Sequence, residues 1–159
     1  MKIRTGLGYD VHKLADHRKL VLCGVEIPYS QGLLGHSDAD VATHALIDAL
    51  CGACNMGDIG KLFPDTDMKF KDISSMLLLE ETMNRMSELG YKLGNADITI
   101  VAQAPKIGPH IPEMKKRLCE VMQTEEEDIS IKATTTEHLG FTGRKEGIAA
   151  FATVLVEKV

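Results

Sequence analysis

Apolar and polar positions along the chain change period several times, and each change marks an element. Residues 2–8 alternate as a strand does, with successive side chains on opposite faces. A second apolar run, 20–27, alternates loosely, contains Gly24 and stops at Pro28, which predicts a bent strand or hairpin arm. Residues 29–35 read as loop. From 37 or 38 to about 54 the spacing is helical, with Val41, Ala45, Leu46, Ala49, Leu50 and Ala53 on it and Ser37 and Asp38 as good N-caps. The polar stretch 57–67 is long for a mere connector. A second helix is expected over 73–89, capped by Asp72 and closed by Gly90. Alternation at 98–103 predicts a strand, 104–112 a stiff loop, and 112–122 a third helix with Pro112 at its favoured first position. Strands at 129–134 and 147–157 complete the order ββ–α–α–β–α–ββ. These elements interleave without regular alternation, which implies an α+β layer: a mixed β-sheet with helices packed on one face. The apolar run 148–156 leaves the other face in need of cover, and a homo-oligomer packing sheet on sheet would supply it.

Composition narrows the classes. The 159 residues read as a single domain, 1–159, with neither repeat nor linker, and a chain of that length can bury a sizeable core. Aromatics make up only 4%, with no Trp, so that core rests on Ile, Leu, Val, Ala and Met. Lys and Arg number 18 against 23 Asp and Glu, a net charge of −5, which argues against a nucleic-acid surface. It does not exclude a small anionic ligand, because a local pocket or a bound cation outweighs net charge. No apolar stretch is long enough to span a membrane, and the first residues lack the apolar segment of a secretory signal. Four cysteines in a chain of this length do not make a disulfide scaffold. The cytoplasm is the expected setting, or a plastid had a transit segment been removed.

Asp10, Val11 and His12 form the sharpest chemical feature. Residues two apart on a strand point the same way, so Asp10 and His12 can grip one ion, with His44 as a third ligand from the helix. Asp40, His44 and Asp48 lie on one helical stripe, so Asp40 or Asp48 is expected to orient the His44 ring. Two histidines and a carboxylate suit zinc with an open position, and equally a non-haem iron centre. A bland alternative is a surface pair and an unrelated helix histidine. His36 and Ser37 precede the helix, where free N–H groups favour an anion. Thr134, Thr135, Thr136 and Glu137 close a strand with groups suited to phosphate and a hard cation, although Thr also simply favours strands. Gly6 and Gly8 lack the third glycine of a dinucleotide loop, and residues 140–144 do not have P-loop spacing. Cys51 and Cys54 sit deep in a helix, away from the end that would stabilise a thiolate, and read as packing residues.

Five segments occur together and in order: 8–12 (GYDVH), 36–44 (HSDADVATH), 57–67 (GDIGKLFPDTD), 102–106 (AQAPK) and 134–144 (TTTEHLGFTGR). With them the chain resembles the 2-C-methyl-D-erythritol 2,4-cyclodiphosphate synthase family of the non-mevalonate isoprenoid route, essentially from end to end. The resemblance implies sheets packed around a threefold axis in a homotrimer, with active sites between subunits. It implies a metal-dependent, CMP-releasing phosphorus–oxygen lyase acting on 4-diphosphocytidyl-2-C-methyl-D-erythritol 2-phosphate. Asp10, His12 and His44 would hold zinc, and Glu137 would hold Mg²⁺ or Mn²⁺. His36 and Thr135 would be the catalytic pair that stabilises the transition state, with Ser37, Thr134 and Thr136 near phosphate. Asp58, Ile59 and Gly60 would meet the ribose or the methylerythritol region, and Phe63, Pro64, Asp65, Thr66 and Asp67 would line the methylerythritol pocket. Ala102, Gln103, Ala104, Pro105, Lys106, Ile107 and Gly108 would hold the cytidine moiety. Phe141 and Arg144 would face an axial cavity where an isoprenoid diphosphate can sit. Ala39 and His138 depart from the pattern, standing where Gly and Lys are usual. Two other classes compete: an iron oxygenase built on the same triad, and a non-catalytic isoprenoid-diphosphate sensor.

Overall fold

Strand β1 spans Ile3–Ala15 in the computed structural model, which describes residues 1–159. It runs well beyond the alternation at 2–8 because Asp10 and His12 break the apolar pattern while the backbone keeps pairing. Its antiparallel ladder with β7 (Gly147–Lys158) is continuous from Ile3↔Glu157 to Lys13↔Gly147. The run 20–27 is a hairpin, β2 (Leu20–Leu22) and β3 (Val25–Ile27), turned by Cys23 and Gly24 at positive φ. Strand β4 (Gly32–Leu34) lies where only loop was expected; three residues carry too little pattern, and pairing with β1 decides it.

Helix α1 (Val41–Ala53) starts later than expected, because Asp40 rather than Ser37 or Asp38 accepts the Thr43 N–H as N-cap. The stretch 57–67 contains a one-turn helix, α2 (Ile59–Leu62), capped by Asp58. Helix α3 (Ser75–Glu88) is capped by Ser74, not Asp72, and Gly90 follows it at φ 78°. Strand β5 (Tyr91–Val101) begins before and ends short of the alternation at 98–103; a register shift between Leu93 and Asn95 hides its first half from any period-two reading. Helix α4 (Ile111–Met122), strand β6 (Ile129–Thr134) and β7 fall where the pattern placed them, with a short turn of helix, α5 (Gly140–Gly143), before β7.

The main sheet has the order β4-β1-β7-β5-β6; β5 and β6 are parallel and the other pairs antiparallel. Helix α1 packs on β1 and β7 with α3 beside it, and α4 packs on α3 and β6, over one core of 40 buried residues. The opposite face of the sheet is bare. It is apolar along β1 and β7, where Leu7 is 67% exposed, Tyr9 48% and Phe151 44%, with the Tyr9 and Phe151 rings 4.7 Å apart, and polar toward β6, where Lys132 pairs with Asp97 of β5. No helix is long and apolar enough to cross a membrane.

Candidate functional site

The period of β1 sends Gly6, Gly8, Asp10 and His12 toward α1. Gly6 and Gly8 are glycine because α1 lies directly on them. A Cβ at Gly8 would sit 1.8 Å from the Ala45 carbonyl oxygen, and one at Gly6 1.9 Å from that of Ala49. This close approach is their structural role. Where side chains resume, Asp10 and His12 meet His44 one residue before Ala45 on α1.

Three donor atoms converge there. His12 Nε2 stands 3.0 Å from His44 Nδ1 and 3.0 Å from Asp10 Oδ2, and His44 Nδ1 stands 3.2 Å from the same oxygen. Ligands at about 2.0–2.1 Å around one tetrahedral ion lie about 3.3 Å apart, so the triangle fits such an ion. The outer nitrogens are engaged elsewhere. His12 Nδ1 donates to the Leu34 carbonyl at 2.9 Å, and His44 Nε2 lies 2.8 Å from Ser75 Oγ and 3.2 Å from Ser37 Oγ. Two ring nitrogens and a carboxylate oxygen pointing at one spot could hold a metal cation between them. The electrostatics agree. Burial alone would raise the Asp10 carboxyl, but hydrogen bonds and charge from His12 and His44 outweigh it and hold it well below the usual carboxylate range. Burial alone would lower His12, but Asp10 overrides it and raises the imidazole.

The expected orienters of His44 are elsewhere. Asp40, fully buried, accepts from the Cys23, Gly24 and Thr43 amides and the Thr43 hydroxyl, tying the β2–β3 turn to the start of α1. Asp48 accepts from the Ile59 amide at 3.0 Å and anchors α2. The helical stripe is real, but each carboxylate is drawn to free backbone N–H groups, and Ser75 from α3 reaches His44 instead.

A cavity of about 230 Å³ opens beside the triad. His36, Ser37, Ile59, Gly60, Phe63 and Asp65 line it as expected positions, and Gly35, Phe70 and Leu78 join them unforeseen. Phe70 had a detectable signal, an aromatic in an otherwise polar stretch, and meets Phe63 edge-on with centroids 5.4 Å apart. His36 Nε2 bonds the Asp67 carbonyl at 3.2 Å, so residue 67 steadies the histidine through its backbone. Asp58, Pro64 and Thr66 stand outside the cavity lining, and Asp58 spends its carboxylate on the Lys61 amide.

The other expected residues gather in a second cavity, of about 310 Å³. It is lined by Ala102, Gln103, Pro105, Lys106, Ile107 and Gly108 with Thr134 and Thr135; Ala104 is not in the lining. Glu137 lies just past it in an exposed turn, its amide donating to Thr135 Oγ1. Thr136 turns inward, bonded to the Leu139 carbonyl and the Thr142 hydroxyl. Strand register places the two cavities at one end of the sheet, since Val11 pairs Ala149, Ala149 pairs Val101, and Val101 pairs Thr134. Three strand spacings, about 14 Å, separate those rows. Within one chain, then, Thr135 and Glu137 do not join the triad. Phe141 and Arg144 stand apart again, with Arg144 paired to Glu146 at 2.7 Å. Cys51 and Cys54 are buried and free, and burial pushes the Cys51 thiol up to about 12.

The family model described as the YgbB family matches residues 3–157. A 2-C-methyl-D-erythritol 2,4-cyclodiphosphate synthase from Parabacteroides distasonis is 61% identical over 159 residues, covering 100% of this chain and 99% of the relative. Among solved structures, a bifunctional IspDF from Campylobacter jejuni superposes with a TM-score of 0.96 at 46% identity, covering 99% of this chain and 43% of that longer one. A 2C-methyl-D-erythritol-2,4-cyclodiphosphate synthase in a CDP-bound form has a TM-score of 0.89 at 39% identity, covering 97% of this chain and all of that one. These likenesses lend no support to the oxygenase or sensor alternatives.

Proposed function

The chain belongs to the YgbB family, and on that premise we propose that it is a 2-C-methyl-D-erythritol 2,4-cyclodiphosphate synthase. Its substrate is 4-diphosphocytidyl-2-C-methyl-D-erythritol 2-phosphate. An oxygen of the 2-phosphate attacks the β-phosphorus, a new P–O bond closes the eight-membered ring, and the bond from the β-phosphorus to the bridging oxygen breaks. That electron pair leaves on the CMP phosphate. The convergence of Asp10, His12 and His44 beside the His36–Ser37 loop carries this reading.

The attacking phosphate is already an anion, so no general base is needed; the barrier is repulsion between phosphates and in-line placement of the nucleophile. Zinc held by Asp10, His12 and His44, with Mg²⁺ or Mn²⁺ at Glu137, would supply Lewis-acid neutralisation of the diphosphate oxygens. Ser37, and His36 once it leaves the Asp67 carbonyl, donate hydrogen bonds to phosphate from the loop before α1. Ile59, Phe63, Phe70 and Leu78 form an apolar wall that receives the methylerythritol carbon skeleton and excludes water. Lys106 and the cavity around 102–108 take the cytidine end, with Thr134 and Thr135 on its phosphates.

Since the two cavities lie apart on one chain, the working site joins the triad of one copy to residues 102–108, Thr135 and Glu137 of a neighbour. A homotrimer, sheets facing a threefold axis, does this and covers Leu7, Tyr9 and Phe151. Residues 1–159 act as one catalytic domain, in the cytoplasm. Phe141 and Arg144 then face the axis, where an isoprenoid diphosphate fits.

The deciding assay follows CMP and the cyclic product by ³¹P NMR after adding substrate and divalent cation. Turnover by the wild type and its loss in a folded His44→Ala variant are expected. A folded, zinc-loaded wild type that releases no CMP would sink the proposal.

A further inference from the structure

Ser75 is the first residue of α3, wholly buried, and 31 residues from His44 in sequence, yet its Oγ lies 2.8 Å from His44 Nε2. Asp38 holds it from behind: the Ser75 amide donates to Asp38 Oδ2 at 3.0 Å, and the Ser75 hydroxyl donates to Asp38 Oδ1. A carboxylate only accepts, so the single hydroxyl proton of Ser75 points at Asp38. What Ser75 offers His44 is then a lone pair, and His44 must present Nε2–H to it. That choice leaves Nδ1, the atom facing Asp10 and His12, without a proton and free to bind. Ser37 Oγ also approaches Nε2, at 3.2 Å, but it already accepts the Ala39 amide and no carboxylate orients its proton.

The pair is itself anchored. The Asp38 amide donates to the Ile73 carbonyl and the Asp72 amide to the His36 carbonyl, stitching the loop before α1 to the loop before α3. His12 gets its complementary tautomer from the Leu34 carbonyl, so the two histidines are set to bind through different ring atoms. We propose that Ser75 and Asp38 are a positioning pair that fixes the tautomer and ring plane of His44 and so couples the start of α3 to the metal centre. This rests on the proposed metal role of Asp10, His12 and His44. A carboxylate acting through a hydroxyl here does what a directly bonded carboxylate does for many metal-bound histidines.

The test is made on the full chain in two ways. Zinc affinity is measured by competition with a chromogenic chelator, and ¹¹³Cd–¹⁵N correlation spectra identify which ring nitrogens bind. Wild type is expected to couple cadmium to Nδ1 of His44 and Nε2 of His12. Ser75→Ala and Asp38→Asn are each expected to weaken zinc binding by roughly 10–100-fold. The double variant should lose little more than either alone, and Ser75→Thr, which keeps the hydroxyl, should recover most of the affinity. Zinc affinity in folded Ser75→Ala within about twofold of wild type overturns the pair, as does coupling through Nε2 of His44. The wild-type spectrum decides even if Ser75→Ala fails to fold. A wild type that binds neither zinc nor cadmium overturns the metal reading itself, and the pair with it.

Discussion

Replacing Gly8 by Ala adds one methyl group to a residue that is not itself a candidate ligand, and the packing of α1 on β1 says it should damage the proposed metal centre. The new Cβ would lie 1.8 Å from the Ala45 carbonyl oxygen, where 3.0 Å is the practical minimum, so α1 must withdraw by at least about 1.2 Å. His44 is the neighbour of Ala45 and moves with it, while Asp10 and His12 stay on β1. A withdrawal of that size lengthens the 3.0–3.2 Å separations of His44 Nδ1 from its two partners by up to as much, toward about 4.2–4.4 Å, off the roughly 3.4 Å that ligands at 2.1 Å around a tetrahedral ion require. Strain of this kind costs about 1–3 kcal/mol, a fall in Tm of roughly 3–10 °C for a chain of this size. The assay pairs thermal unfolding with zinc titration, and expects more than about tenfold loss of affinity. Gly52→Ala is the control. Gly52 is exposed in α1 with nothing within 4 Å of an added Cβ, so that variant should gain about 0.5–1 kcal/mol and keep its zinc. A Gly8→Ala protein with wild-type Tm and affinity would refute the claim that these glycines set the depth of α1.

In metal-free protein, the depressed Asp10 contributes stability above about pH 3.9 that is lost as pH falls through its folded value. The raised His12 contributes below about pH 6.5 and loses that contribution as pH rises through its own. Chelated protein should therefore lose Tm as pH rises above about 6.5. The gain from added zinc should grow over the same range, because ligation needs His12 unprotonated; a zinc-induced Tm shift that shrinks with pH contradicts this. Phe151→Glu puts a charge on the bare sheet face and should turn the proposed trimer into monomers in sedimentation; an unchanged mass would remove that face from the assembly. All four cysteines are buried, with Cys51 pushed up to about 12, so iodoacetamide at pH 8 should label none in the folded chain and four in urea. Fast labelling of Cys51 or Cys54 would contradict their reading as packing residues.

Periodic elements were legible from the chain alone because their signals are local: α4, β6 and β7 lie where spacing placed them, and Asp10 and His12 share a face because a strand has period two. Elements created by pairing were not. Three-residue β4 and the first half of β5 exist because β1 and β7 offer partners, and residues 9–15 continue β1 against a broken apolar pattern for the same reason. The triad was likewise half visible: candidate ligand types could be named, but whether α1 brings His44 onto β1 depends on Gly6 and Gly8 lying under Ala49 and Ala45, a contact no one-dimensional pattern records. The orienting partner of His44 was misplaced for a related reason. Helical spacing favoured Asp40 or Asp48, yet free backbone N–H groups at the β2–β3 turn and at α2 claim those carboxylates, and Ser75 arrives from a helix 31 residues away. The sequence by itself determined the candidate ligand types, the periodic elements and the family resemblance. Only the tertiary structure decided which donors converge and which stand three strands away, because convergence is set by packing depth and strand register rather than by order along the chain.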